Sequence, residues 1–257
     1  MNKKLIVFSL FVLFSAYWLY FHLFFSEPYL LYFSFFYWTF ALMGVILGLN
    51  AAYKFGYKSY VGRLIYVLSG GLFLQVVGQN VANYLYVQDI SIYPSAADFA
   101  FFGSIILYIY ASFLLLSVTG TYVAIKTTKN KLYCLLIFFI ILTISYYFLL
   151  NHIAYDFSQP LIFLLDFGYP LGQAIYVSLV LVVFFLTKDY LGGAMRVPIF
   201  LLLAGLFTQY LSDYLYSFLN EKNAWMPGGF NDYMYFLGYF FLTYSFVSLS
   251  AVFKKIK

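Results

Sequence analysis

Two aspartates and five carboxamides lie inside stretches of this chain that are otherwise apolar. Asp213 follows Gln209 by four residues, Gln75, Gln79 and Asn83 recur at intervals of four, and Gln173 follows Asp166 by seven. Such spacings put each set on one face of a helix. A carboxyl group in that setting can bind a cation, carry a proton or accept a hydrogen bond from a tyrosine. Burying it in a bilayer costs about 2.5–3.5 kcal/mol on insertion scales, so each acid needs a compensating partner. No Lys or Arg sits deep in an apolar run to provide one. Pro170 stands four residues after Asp166. It has no N–H for the Asp166 carbonyl, so a kink is expected there, with a carboxyl and a free carbonyl at one level. Unpaired backbone is tolerated in a membrane only where protein or water satisfies it. The expectation is a polar, outward-open cavity whose ligand- or ion-binding residues are Asp166, Asp213, Gln209, Gln75, Gln79, Asn83 and Gln173. The competing reading of the amides, with Asn80 beside them, is interhelical glue worth about 0.6 kcal/mol each.

The elements that must position these groups are apolar runs at 4–25, 29–49, 60–87, 99–125, 132–151, 161–187, 197–220 and 232–253. Each holds about the 20 residues needed to cross a hydrocarbon core of roughly 30 Å. The cavity is expected between the third, sixth and seventh. Asp213 lies about seven residues from the outer end of the seventh, hence roughly 10 Å deep. With 65% hydrophobic and 9% charged residues, a soluble fold is excluded. With the N-terminus inside, thirteen of the fourteen Lys and Arg residues fall on the inner side, and only Lys222 falls outside. The connecting segments are short, so this bias sets orientation, with both termini cytoplasmic in a plasma membrane. The net charge of +5 is explained by that bias and is not a nucleic-acid signal.

Asp98 and Asp232 open the fourth and eighth runs at the outer surface, where helix capping is the expected role. A constant internal shift carries the first of these acids onto the second. The same shift superimposes Gly71-Leu72-Phe73 on Gly205-Leu206-Phe207, Gln75 on Gln209, Gln79 on Asp213, Phe102 on Phe236 and Tyr110 on Tyr244. Matches between polar residues do not arise from apolar bias alone. In the first two runs of each half, Pro28 pairs with Pro160 and Tyr37 with Tyr169 at a slightly different shift. The expected fold is therefore an all-α integral membrane bundle of eight transmembrane helices. It is a single domain, 1–257, built as two parallel four-helix repeats, 1–125 and 131–257. An even number of helices per unit gives both halves one orientation, related by an axis along the membrane normal.

The loop and helix start Tyr93-Pro94-Ser95-Ala96-Ala97-Asp98 resembles the aromatic-Pro-Ser-x-Ala-Asp segment of a family of eight-helix bacterial membrane domains. Those domains stand ahead of diguanylate cyclase and histidine kinase modules. Asp166-Phe167-Gly168-Tyr169-Pro170 is similar to a second segment of that family. The resemblance implies a sensory or ligand-binding membrane module. The sequence stops at Lys257, soon after the last run, so output is expected to pass to a separate protein partner or a homo-oligomer.

Other chemistries find little material. There is no Ser/His/Asp set, metal cluster or phosphate-binding glycine loop, so neither an enzyme, a cofactor nor a metal is expected. Cys134 is the only cysteine and reads as a small buried hydrophobe. His22 and His152 both lie near outer helix ends and make a weak haem pair. The first run is too long for a signal peptide and has no small-x-small cleavage site, so it is expected to be a retained helix. Gly44, Gly48 and Ala52 form a ridge of small residues that lets helices approach. Aromatic residues make up 25% of the chain and read mainly as ring packing. The leading expectation is a non-enzymatic sensory or ligand-binding module for a small molecule or cation. The alternatives are a small secondary transporter coupled through Asp166 and Asp213, and a structural subunit of a larger complex. Asp213→Asn is expected to preserve assembly and remove function; unchanged function in Asn variants of both Asp166 and Asp213 would reduce the membrane polar groups to packing.

Overall fold

The protein is described by a computed structural model over residues 3–25, 28–148, 158–222 and 224–256. Eight helices are long and apolar enough to cross a membrane, and no strand occurs among the described residues. They are α1 (Lys3–Phe24), α2 (Pro28–Phe55), α3 (Tyr60–Val87), α4 (Ala96–Val118), α6 (Thr128–Phe148), α7 (Pro160–Thr187), α8 (Arg196–Glu221) and α9 (Phe230–Ile256). A single turn, α5 (Thr121–Ala124), intervenes after α4. The chain is a multi-pass membrane protein of the class its composition requires.

The helix limits have local causes. Ser59 caps α3, its side chain accepting from Gly62 N at 2.9 Å. The fourth run, expected to continue to residue 125, breaks at Gly120, whose φ of +75° suits a residue without Cβ. Thr119 and Thr121 pair their hydroxyls at 2.7 Å across that break. Conversely α2 continues past residue 49 to Phe55, and Lys54 Nζ donates to Ser250 Oγ of α9 at 2.9 Å. Pro160 occupies the first turn of α7, where its missing N–H costs nothing, and α7 stays helical on both sides of Pro170. Within the spans many hydroxyls donate back to their own helix, as Ser69 does to Ile65 O at 2.7 Å and Ser112 to Tyr108 O at 2.8 Å. Both groups are thereby satisfied without water.

The core is formed by α2, α3, α4, α7, α8 and α9. α3 lies along α4, and α8 along α9. Two further seams join α2 to α9 and α4 to α7. α2 lies closely along α3, whereas α7 touches α8 much less. α1 packs on α9 and α2, and α6 on α7. Each turns an apolar outer face away from the bundle, including Leu5, Phe8, Val12 and Leu13 on α1 and Leu132, Leu135, Leu136 and Phe139 on α6. That is the surface a hydrocarbon environment accepts. A phenylalanine cluster seats α1: Phe11 stacks on Phe240 at 3.9 Å and on Phe236 at 5.2 Å.

The small-residue ridge of α2 is internal to the chain. Gly44 and Gly48 are buried against α3 and α9, and Ala52 is fully buried. A Cβ on Gly48 would sit 2.8 Å from the Phe246 ring and closer still to Ser69 Oγ. Gly48→Leu is therefore expected to destabilise the protein by about 1–3 kcal/mol through overpacking. Ile46→Leu, on the exposed face of the same helix, should stay within about 0.5 kcal/mol. Reversible unfolding in mild detergent compares the two.

Candidate functional site

A cavity of about 350 Å³ opens between α3, α4, α7, α8 and α9. It is lined by Asp98 of α4, Asp166 of α7, Asp213 of α8 and Asp232 of α9, four of the nine acidic residues in the chain. Among the described residues, no Lys or Arg lines it. Aromatic side chains make up much of the remaining wall: Tyr93, Phe101, Tyr169, Tyr216, Trp225 and Tyr235. A second depression of about 400 Å³ adjoins it and shares Ile92, Tyr93, Tyr216, Asn220 and Trp225, with Asp89 also in its lining.

The four acids are positioned by one sequence device. Each is followed three residues later by an aromatic ring: Asp98 by Phe101, Asp166 by Tyr169, Asp213 by Tyr216 and Asp232 by Tyr235. All eight side chains line the cavity. An i,i+3 pair shares a helix face, so each helix presents one carboxyl and one ring together. Neighbouring helices then interlock. Tyr235 OH donates to Asp213 Oδ1 at 2.5 Å, and Gln173 Nε2 donates to Asp213 Oδ2 at 2.8 Å. Tyr169 OH donates to Asp98 Oδ1 at 3.1 Å, and Tyr93 OH donates to Asp166 Oδ1. Three carboxyl groups are thus each held by a tyrosine from a different element.

Asp98 and Asp232 do more than their position at the helix starts implied. α4 begins at Ala96, with Ser95 as its cap, and Asp98 is the third helical residue. Its Oδ2 accepts from Ser95 N at 2.7 Å while Ser95 Oγ accepts from Ala97 N at 3.1 Å. That is the reciprocal arrangement of a capping box. Asp232 is likewise the third residue of α9, and accepts from Gly228 N at 2.7 Å and Ser34 Oγ at 3.3 Å. Both acids are buried and still border the cavity.

The remaining expected site residues divide into two groups. Gln79 and Gln173 line the cavity with Asp166 and Asp213. Gln75, Asn83 and Gln209 do not. Gln75 Nε2 donates to Ser104 Oγ at 2.7 Å, joining α3 to α4. Asn83 Oδ1 accepts from Gln79 Nε2 at 3.1 Å, and Asn80 Nδ2 donates to Val76 O of its own helix at 2.8 Å. Gln209 is 1% exposed against Gly238, and neither of its amide atoms has a partner among the described residues. The cavity also uses α4 and α9, beyond the third, sixth and seventh runs. His22 stacks on Trp18 at 4.7 Å, and His152 lies outside the described residues. Among the described residues no three of His, Cys, Asp and Glu converge to hold a metal ion.

The segment after α8 closes part of the mouth. Trp225 meets Tyr86 of α3 and Tyr216 of α8 edge-on, at 5.9 and 5.7 Å. Gly228 anchors the segment by accepting from Trp18 Nε1 at 2.8 Å. Opposite it, Tyr93 belongs to the loop between α3 and α4. Burial, and then its bond to Asp166, raise the phenol pKa above the ordinary tyrosine value. The phenol stays protonated and keeps donating. Comparison with protein-family models, with curated proteins and with solved structures gives no match to this chain. The bond predicts that Tyr93→Phe frees the α3–α4 loop: amide exchange over residues 89–95 should quicken with little change in global melting. Asp166→Asn keeps an acceptor for the phenol and should have the smaller effect.

Proposed function

We propose that this chain is a non-enzymatic sensory or ligand-binding membrane module. It takes a small solute from the outer side into the cavity and passes its occupancy to a separate protein partner. The observation that carries this reading is the joining of four helices through carboxyl groups facing one void. Asp98, Asp166, Asp213 and Asp232 come from α4, α7, α8 and α9. A solute that bonds to Asp98, Asp166 or Asp213 competes with the tyrosine holding it, and one that bonds to Asp232 competes with Ser34 and the Gly228 amide, so that ties between elements are altered. These helices extend to the opposite side, where a partner would read the change. Differential interaction with two arrangements is what a ligand needs in order to shift a population.

The proposal includes orientation and architecture. Both termini lie in the cytoplasm and the cavity faces outward across the plasma membrane, in keeping with the distribution of Lys and Arg. The chain consists of two four-helix repeats, 1–125 and 131–257, about an axis along the membrane normal. Several contacts support the duplication. The α2–α9 seam has the α7–α4 seam as its counterpart. A Cβ on Gly71 would meet the Tyr108 ring, and one on Gly205 would meet Leu242. The shift that carries Gly71 onto Gly205 also carries Tyr108 onto Leu242, so contact maps onto contact. Gln75 bonds Ser104, and Gln209 abuts Gly238, which is the counterpart of Ser104 under the same shift. The replacement of that serine hydroxyl by glycine is why Gln209 lacks the bond Gln75 makes.

Native mass spectrometry of the chain gently extracted from its host membrane tests the reading. A co-purifying protein at fixed stoichiometry, with a small-molecule adduct lost in Asp213→Asn, is the expected result. Gradient-driven accumulation of a solute in vesicles containing the chain alone, abolished by the same substitution, would replace the sensory reading with a secondary transporter.

A further inference from the structure

The donors and acceptors in the cavity are unequally committed, and the imbalance identifies a ligand class. Of the cavity's donors, Tyr235 and Gln173 are committed to Asp213, Tyr169 to Asp98 and Tyr93 to Asp166. Asn231 Nδ2 donates to Ser212 O at 2.7 Å. Its other atom is different. Asn231 is 1% exposed and lines the cavity, yet Oδ1 has no hydrogen-bond partner among the described residues. A buried carbonyl oxygen left unpaired costs about 1–3 kcal/mol. Asp232 adjoins it on α9 and Asp213 lines the cavity from α8, and no described lining residue is a Lys or Arg that could donate. The described residues therefore supply no donor to Asn231 Oδ1, and no Lys or Arg among them brings a positive charge to the cavity.

Resting on the ligand-binding reading above, we infer that the cavity's ligand is a protonated primary or secondary organic amine. Its ammonium sits between Asp213 and Asn231 Oδ1, the amide of Asn231 already bonding the carbonyl of Ser212 next to Asp213, and its apolar body lies along the tyrosines. An ammonium supplies N–H donors to the orphan amide oxygen and countercharge to the carboxyl groups. Rings of Tyr169, Tyr216 and Tyr235 offer the electron-rich faces that attract such cations. A bare metal ion fits less well, since the acids do not converge on one point among the described residues. A quaternary ammonium has the charge but no N–H for Asn231. At the rim the requirement reverses: Trp225 Nε1 is buried without an acceptor among the described residues, so an oxygen on the outer end of the amine would be accepted there. The cavity of about 350 Å³ has room for an amine of drug-like size.

The test uses one molecular body with four head groups on the full-length chain in nanodiscs: phenethylamine, its trimethylammonium derivative, 2-phenylethanol and 3-phenylpropanoate. Binding is read by calorimetry and by thermal stabilisation. The inference expects phenethylamine to bind at least about tenfold more tightly than the trimethylammonium compound, with the alcohol weaker and the carboxylate absent. Asp213→Asn should weaken phenethylamine about tenfold or more, the loss of one charged hydrogen bond. Ile46→Leu, on the exposed face of α2 away from the cavity, should leave phenethylamine binding unchanged, and an unaltered melting profile of the unliganded Asp213→Asn chain separates a lost site from a misfolded one. Equal binding of amine and trimethylammonium would overturn the requirement for an N–H. Binding of the alcohol or carboxylate alone, lost in Asp213→Asn, would overturn the amine class while leaving a ligand-binding module. No binding by any of the four would overturn the inference, and the native mass spectrum then decides the ligand-binding reading separately.

Discussion

The constraint on which this structure turns is the burial of carboxyl groups without basic partners. Four acids face one cavity in a chain whose Lys and Arg residues lie almost entirely at helix ends. Membrane acids need compensation, and here it comes from hydroxyls and amides on other helices. Tyr235 and Gln173 hold Asp213, Tyr169 holds Asp98, and Ser34 with the Gly228 amide holds Asp232. Neutral donors satisfy oxygen lone pairs but bring no countercharge. The bundle therefore stays connected through its acids while leaving the cavity able to accept a positive group. On the proposed reading, helix cohesion and solute affinity draw on the same atoms.

Packing and polarity are separated along the bundle. The inner and lateral contacts rest on small residues and rings, such as Gly48 against Phe246 and Phe11 against Phe240. These are dispersion contacts that need close approach, as expected where lipid removes the usual hydrophobic drive between helices. The end that carries the cavity adds a concentration of polar bonds between elements. Three of them, Tyr93 to Asp166, Trp18 to Gly228 and Gly228 to Asp232, tie loops to helices. A solute entering among the acids meets bonds that can be exchanged rather than a jigsaw core that must be broken.

Much of this was legible in the sequence, and what was missed had a physical reason. The eight spans followed from run length because a membrane admits few alternatives to a helix. Asp166, Asp213, Gln79 and Gln173 stood out because each is polar in an apolar run, and they do share the cavity. Gln75 and Gln209 carried the same signal but face helix seams; four-residue spacing gives a face, not what that face meets. Asp98 and Asp232 read as caps because helix starts explain acids so readily. Their recurrence as acid-x-x-aromatic, shared with Asp166 and Asp213, was the overlooked clue. Asn231 and Trp225 had no sequence signal, since their importance lies in partners they lack.

On the proposed duplication, the two halves should contain two equivalent crevices, yet the open one lies where α7 stands off α8, while α2 closes on α3. The shift that pairs Tyr37 with Tyr169 also pairs Gly44 with Tyr176. Gly44 lets α2 approach so closely that a Cβ would lie 3.0 Å from Leu72 of α3. Tyr176 is fully buried at the counterpart position and needs room for a ring, which lies against Tyr108 of α4 at 6.0 Å. Gly44 thus brings α2 against α3, whereas the ring at its counterpart packs toward α4. The same shift pairs Asp166 with Ser34, which in the closed crevice bonds Asp232 instead of facing a void. On the proposed duplication, divergence at these two positions, one of size and one of charge, goes with an acidic cavity that opens beside α7 and has no equivalent beside α2.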